Sequence, residues 1–127
     1  MEAPVWILDE VVLAIHQRQL AEHGGTEGIR DRGLLDSALA KPKNIYNYDA
    51  AASLSTLAAA YASGIIRNHP FVDGNKRTAL VVTLLFLDLN HYKLSAAFEE
   101  RYKIFYALAE GSITEAELTE WFERHGC

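Results

Sequence analysis

The sequence predicts an all-α protein, a compact bundle of about six helices in a single domain over residues 1–127. Three observations carry this. Apolar residues recur at helical spacing between Gly and Pro breaks. No stretch alternates apolar and polar residues for long enough to make a strand. An almost continuous apolar run, Thr78 to Leu89, reads as a central helix buried on every face.

The elements follow in order. Asp9, as N-cap, with Glu10 in the first turn, opens a helix that runs to about Glu22 and ends at Gly24-Gly25. A turn-rich connection, Gly28 to Gly33, leads to a short helix carrying Leu34, Leu35, Ala38 and Leu39, which Pro42 should stop. Lys43 to Tyr48 then reads as a loop, with Tyr46-Asn47-Tyr48 available for recognition. Asp49 can cap an alanine-rich helix from Ala50 to Asn68, with Leu54, Leu57, Tyr61 and Ile65 on one face. Gly64 inside that helix points to a close helix crossing. Pro70 disfavours α geometry at His69, so His69 is placed on a loop at the helix exit.

The apolar helix begins near Gly74 or Asn75 and reaches about Asn90. A strand-like or loop segment, His91 to Ser95, precedes a helix over Ala97 to Ala109 that Gly111 terminates. Thr114-Glu115-Ala116-Glu117 has the capping-box pattern and starts a last helix with Leu118, Trp121 and Phe122 inward. Trp6, Trp121, Phe98 and Phe105 read as core aromatics. His16, His23, His91 and His125 show no ligand spacing and read as surface or packing residues.

Composition narrows the function classes. With 127 residues and 50% hydrophobic content there is material for a sizeable core. No signal peptide pattern opens the chain and no apolar run reaches membrane-spanning length. The single cysteine, Cys127, cannot form an internal disulfide, which suits a reducing compartment and predicts a cytoplasmic location. A net charge of −5 argues against general nucleic-acid binding. Yet Arg67, His69, Lys76 and Arg77 make a local cationic spot, suited to a small anion.

That spot belongs to the stretch His69-Pro70-Phe71-Val72-Asp73-Gly74-Asn75-Lys76-Arg77. Phe71 is an anchor that pins the loop, and Gly74 permits positive φ and close approach of a ligand to the backbone. Asn75, Lys76 and Arg77 fall in the first turn of the apolar helix, where free N–H groups and the helix dipole favour an anion. Cations there oppose the dipole, so an anion is the natural complement. Asp73 can serve as an N-cap or hold Mg²⁺ against phosphates. His69 can be a solvated loop residue or a general base with a pKa near physiological pH. Together the residues supply base, metal ligand, anion cup and neutralising cations for moving a phosphoryl or nucleotidyl group.

The stretch resembles the signature of the Fic/Doc superfamily, and its Asn-Lys-Arg ending is similar to the Doc (death-on-curing) toxin branch. The region from His16 to Gly33, with Gly24-Gly25 and Gly28-Ile29-Arg30-Asp31, and Leu84-Leu85-Phe86-Leu87 extend the resemblance. It implies a small helical domain that binds ATP with Mg²⁺, in which His69 deprotonates a target hydroxyl and Asp73 holds the metal. It further implies phosphate contacts from Gly74, Asn75, Lys76 and Arg77, and Arg67 matches a Doc arginine. Doc toxins are kinases that phosphorylate a threonine of elongation factor Tu, arrest translation and are silenced by a Phd-type antitoxin.

Two positions bear on what is transferred. AMP-transferring relatives usually carry glycine where this chain has Lys76, and a second arginine where it has Leu80; both differences favour phosphate transfer. Pro70 and Gly74 are as similar to the AMP-transferring pattern. The self-inhibitory element of many Fic proteins is absent, since His23 and Tyr106 stand at the hydroxyl positions before Glu27-Gly28 and Glu110-Gly111. The resemblance therefore implies a toxin kinase inhibited in trans. AMP transfer, a non-catalytic antitoxin-binding or co-regulatory module and, more distantly, a metal-dependent nuclease are the alternatives.

Overall fold

The computed structural model describes residues 3–127. Six helices account for the regular structure: α1 (Asp9–His23), α2 (Arg32–Tyr48), α3 (Leu54–Asn68), α4 (Asn75–Leu89), α5 (Phe98–Glu110) and α6 (Glu115–His125). Among the described residues there is no strand, only two isolated bridges, Ile29 with Phe71 and Leu94 with Gly126. The all-α expectation is met. No helix is long and apolar enough to cross a membrane among the described residues.

The helix at the centre is α3, which packs against α2, α4, α5 and α6, while α1 packs against α4. Leu57 through Ile65 are buried without a break. The residues there are mostly small (Ala58, Ala59, Ala60, Ala62, Ser63, Gly64), so neighbouring helices approach from every side. The more apolar α4 lies beside it: Phe86 and Leu87 are buried, Val81, Leu84 and Leu85 are half-buried, and Leu89 is exposed. Burial is thus deepest one helix earlier than the apolar run predicts, because bulky residues fill gaps whereas small ones admit neighbours.

Helix α2 departs from expectation. It continues through Pro42 to Tyr48, so the predicted Lys43–Tyr48 loop is helical. Pro42 cannot donate to the carbonyl of Ala38, four residues back. That carbonyl lies at the crossing with α3, where a Cβ built on Gly64 would meet Ala38 O at 3.1 Å. The proline and the glycine therefore meet at one crossing: the freed carbonyl is covered by the bare Cα of the next helix. On the extended helix, Tyr46 packs edge-on against Trp6 at 5.8 Å, while Tyr48 is 95% exposed.

Other boundaries move for local reasons. Leu8, not Asp9, is the N-cap of α1, leaving Asp9 and Glu10 in the first turn. Asp49 ends α2 and accepts from the Ala51 N–H at 3.0 Å, and Ser53 caps α3 by accepting from Thr56 N–H. The capping box at Thr114 and Glu117 forms in both directions. Phe98, expected in the core, is 64% exposed because it opens α5, whose fully buried positions are Phe105 and Leu108. Trp121 and Phe105 are buried as expected and Trp6 stacks on Phe86. The His91–Ser95 segment is a loop, tied by paired Lys93 and Cys127 backbones. The Tyr61 hydroxyl accepts from the Ile7 N–H at 3.1 Å, which fastens the N-terminal segment to α3, and burial pushes its pKa up.

The Gly64 crossing gives a first prediction. Replacing Gly64 by Val should destabilise the fold by about 1–3 kcal/mol in urea denaturation, since backbone atoms of Ala38 must shift to admit the side chain. An ordinary exposed helical glycine replaced by alanine would instead stabilise by about 1 kcal/mol.

Candidate active site

The site is built at the join of α3 and α4. His69 closes α3 as its C-cap in the left-handed region, φ 50° and ψ 54°, with its N–H bonded to Ile65 O at 3.1 Å. This is an unusual backbone state for a non-glycine residue. Pro70, which resists continuation of the helix, and Arg30 hold it there. The Arg30 guanidinium donates from Nε to His69 O at 2.7 Å and from Nη2 to Asn68 O at 2.8 Å, satisfying the last carbonyls of α3. The imidazole of His69 remains exposed.

Beyond it the loop is locked from two directions. The N–H groups of Arg30 and Asp31 both donate to Pro70 O, and Val72 N–H donates to Gly28 O, which pairs the Gly28–Asp31 segment edge-to-edge with the loop. Phe71 is fully buried and anchors the loop in the core. Its backbone is clasped by Asn75, which accepts from Phe71 N–H at 3.0 Å through Oδ1 and donates from Nδ2 to Phe71 O at 2.9 Å. Asn75, only 5% exposed, is therefore the brace of the loop. One Nδ2 hydrogen and the carboxamide oxygen are thus engaged by the Phe71 backbone, which leaves the second Nδ2 hydrogen and the backbone N–H of Asn75 uncommitted.

His16 is a second brace: of the surface and packing readings the structure gives packing, against the motif loop itself. It is 4% exposed, stacks on Phe71 with ring centroids 3.7 Å apart, and lies 2.8 Å from Asp73 O through Nε2. Because a carbonyl can only accept, Nε2 carries the proton. The sequence did contain a signal: Val12, His16 and Leu20 are the buried residues of α1, a stripe at four-residue spacing in which His16 occupies an apolar position.

Gly74, at φ 79°, is the N-cap of α4, and a Cβ there would press on Leu20 at 3.4 Å. Thr78 makes the first backbone bond of α4, to Gly74 O. The N–H groups of Asn75, Lys76 and Arg77 therefore have no intrahelical acceptor, an arrangement chemically suited to an anion at the positive end of the helix. Asp73 sits at the mouth. Its Oδ1 accepts from Gly74 N–H at 2.9 Å and its Oδ2 from Thr26 N–H at 3.2 Å, which fixes the carboxylate while leaving lone pairs on both oxygens.

Within a cavity of about 440 Å³ the structure brings together His69, Asp73, Gly74, Asn75, Lys76 and Arg77. The facing wall is Tyr102, Tyr106 and Ala109 of α5. Arg67 is not brought in. It lies two residues before His69, about 200° away around α3, and lines a separate cavity between α2 and α3 with Lys41 and Asn68. Among the described residues no three His, Cys, Asp or Glu side chains gather as a metal cage. A lone, fixed carboxylate beside an anion cup fits Mg²⁺ arriving with phosphates, a cation that commonly takes one or two protein carboxylates and completes its shell with phosphate oxygens and water.

Residues 6–87 match the model of the Fic/DOC family. This chain belongs to the Fic/DOC family. The match runs from the N-terminal segment into the last turn of α4 and includes every residue of the motif loop, both braces and Arg30. Over 77 residues the chain is 46% identical to Toxin Doc of Mycolicibacterium smegmatis, an alignment covering 60% of this chain and 59% of that protein. Over 84 residues it is 33% identical to Protein kinase doc of Escherichia phage P1, covering 66% and 67%. Both relatives carry the Doc name, so the likeness lies on the Doc side of the Fic/DOC family. The family match ends before α5, so the tyrosine wall of the cavity stands outside it.

The braces give a second prediction. Asn75→Ala strands the Phe71 N–H and carbonyl and should cost about 1–3 kcal/mol in thermal or chemical denaturation. His16→Ala should cost a similar amount, through the lost stack and the lost bond to Asp73 O. An unchanged midpoint in both variants would overturn the bracing role.

Proposed function

We propose that this protein is a Doc-type toxin, a protein kinase that uses Mg-ATP to phosphorylate a Ser or Thr hydroxyl of elongation factor Tu, and that a Phd-type antitoxin restrains it. One observation carries the reading: a solvent-facing imidazole, a fixed carboxylate and three unpaired helix N–H groups with two cations line one cavity. Membership of the Fic/DOC family, and relatives named as a toxin and as a protein kinase, support the choice of chemistry. Lys76 supports phosphate over AMP transfer, because it adds volume and charge where AMP-transferring relatives usually have glycine.

In this reading the anion cup of Asn75, Lys76 and Arg77 binds and orients the phosphates of ATP. Gly74 lets them approach the backbone, a place where any side chain would be strained at φ 79°. Mg²⁺ bound with the nucleotide supplies neutralisation of phosphate charge, and Asp73 is the residue that would hold it. His69, at the lip of the cavity, accepts the proton of the incoming hydroxyl as its oxygen bonds to the γ-phosphorus. The bond to the bridging oxygen breaks, ADP departs with that oxygen, and His69 returns its proton to solvent. Lys76 and Arg77 balance the charge spread over the transferring group. Arg30 and the left-handed backbone keep the imidazole at the lip rather than in the helix.

The reading predicts a phosphate-sized mass gain on elongation factor Tu after incubation with the purified protein and Mg-ATP, read by intact-protein mass spectrometry. An AMP-sized gain would assign the chain to adenylyl transfer. Nucleotide binding without turnover, with no growth arrest on expression, would make it a binding module. His69→Ala should lower turnover by about 10²-fold or more while leaving Mg-ATP affinity nearly unchanged. Retained turnover would remove His69 from the role of base.

A further inference from the structure

The two walls of the cavity differ in origin. The motif wall falls within the residues that match the Fic/DOC family, whereas Tyr102 and Tyr106 come from α5, beyond them. Across the gap, Lys76 Nζ sits over the ring of Tyr106, 4.1 Å from its centroid. This lysine lies in the first turn of α4, where the helix dipole opposes a cation. Among the described residues no carboxylate lies within ion-pair distance of it. The ring face is thus the partner the fold provides. Tyr102 stands beside it, with ring centroids 5.1 Å apart and planes tilted by 37°, and buttresses Tyr106.

We infer that Tyr106 is a positioning residue for Lys76: its aromatic face holds the ammonium against the α5 wall and fixes where that charge meets an anionic ligand. The consequence for nucleotide binding rests on the phosphoryl-transfer reading; the contact itself does not. An unheld lysine loses rotamer freedom when an anion orders it, and the ring removes part of that loss beforehand. An ammonium has three donors, so one side can lie on the ring while the others remain for phosphate oxygens. The attraction comes from the ring quadrupole and not from the hydroxyl. Phenylalanine should therefore preserve it and leucine should not. A phenol is already neutral at physiological pH, and interaction with Tyr102 pushes the Tyr106 pKa further up.

Calorimetric titration of the full chain with Mg-ATP tests this. Tyr106→Leu should weaken binding roughly three- to tenfold, and Tyr106→Phe should stay within about twofold of the parent. In a Lys76→Met background, Tyr106→Leu should have no further effect. A Phe variant as weak as the Leu variant would overturn the inference, as would a Leu effect that persists without Lys76. A second readout needs no nucleotide. Ring current should move the Lys76 ε-methylene proton resonances upfield in the parent and in Tyr106→Phe, and Tyr106→Leu should return them to ordinary values. If the parent binds no Mg-ATP, the phosphoryl-transfer reading fails, and the methylene resonances alone decide this one: ordinary shifts in the parent overturn it.

Discussion

The clasp between the Asn75 carboxamide and the Phe71 backbone is the contact on which the rest of the site depends. It spans four residues within the loop that joins the end of α3 to the start of α4. Without it, a loop holding two left-handed residues, His69 and Gly74, would have alternatives of comparable energy. The two bonds are each worth about 1 kcal/mol net, but breaking them strands buried groups, which costs more. Burial of the Phe71 ring adds about 1.5–3 kcal/mol. The loop is thus fastened from within, and the groups that face solvent are free to do chemistry.

Around that clasp the protein separates support from function by depth. Phe71, Asn75 and His16 are buried; His69, Asp73 and Lys76 are exposed. Along one short loop Pro70, Phe71 and Asn75 are turned inward and His69, Val72, Asp73 and Lys76 outward, so the buried ones set the positions of the exposed ones. The Gly28–Asp31 segment contributes a second fastening by backbone pairing, and Arg30 caps α3 at the residue whose imidazole lines the cavity. The same economy appears at the α2–α3 crossing. A proline removes a donor, a glycine removes a side chain, and the two defects meet at Ala38 O.

Much of this was legible in the sequence, and the exceptions have physical causes. The six helices, the capping box, the exit of His69 from α3 and the gathering of His69, Asp73 and the cationic first turn all follow from local spacing and backbone restriction. Pro42 was misleading because a helix tolerates a proline when its orphaned carbonyl finds cover, and that cover comes from a residue far along the chain. Phe98 was misleading because an aromatic at a helix start can overhang the packed face. Arg67 lines a different cavity from His69 because two residues of separation look close in sequence but turn a side chain to the far side of a helix. The part of His16 in the site was missed because its partners, Phe71 and Asp73, are on another helix junction.

By itself the sequence determined the helical class, the identity of the motif residues and the sign of the charge at the start of α4. These depend on short-range forces: propensity, capping, proline sterics and the helix dipole. Only the tertiary structure decided that Asn75 braces the loop, that His16 supports it, that Arg67 lines a separate cavity, and that Tyr106 meets Lys76. Each of these depends on which surfaces of two distant segments are pressed together. That is fixed by packing of the whole core around α3, and no local pattern records it.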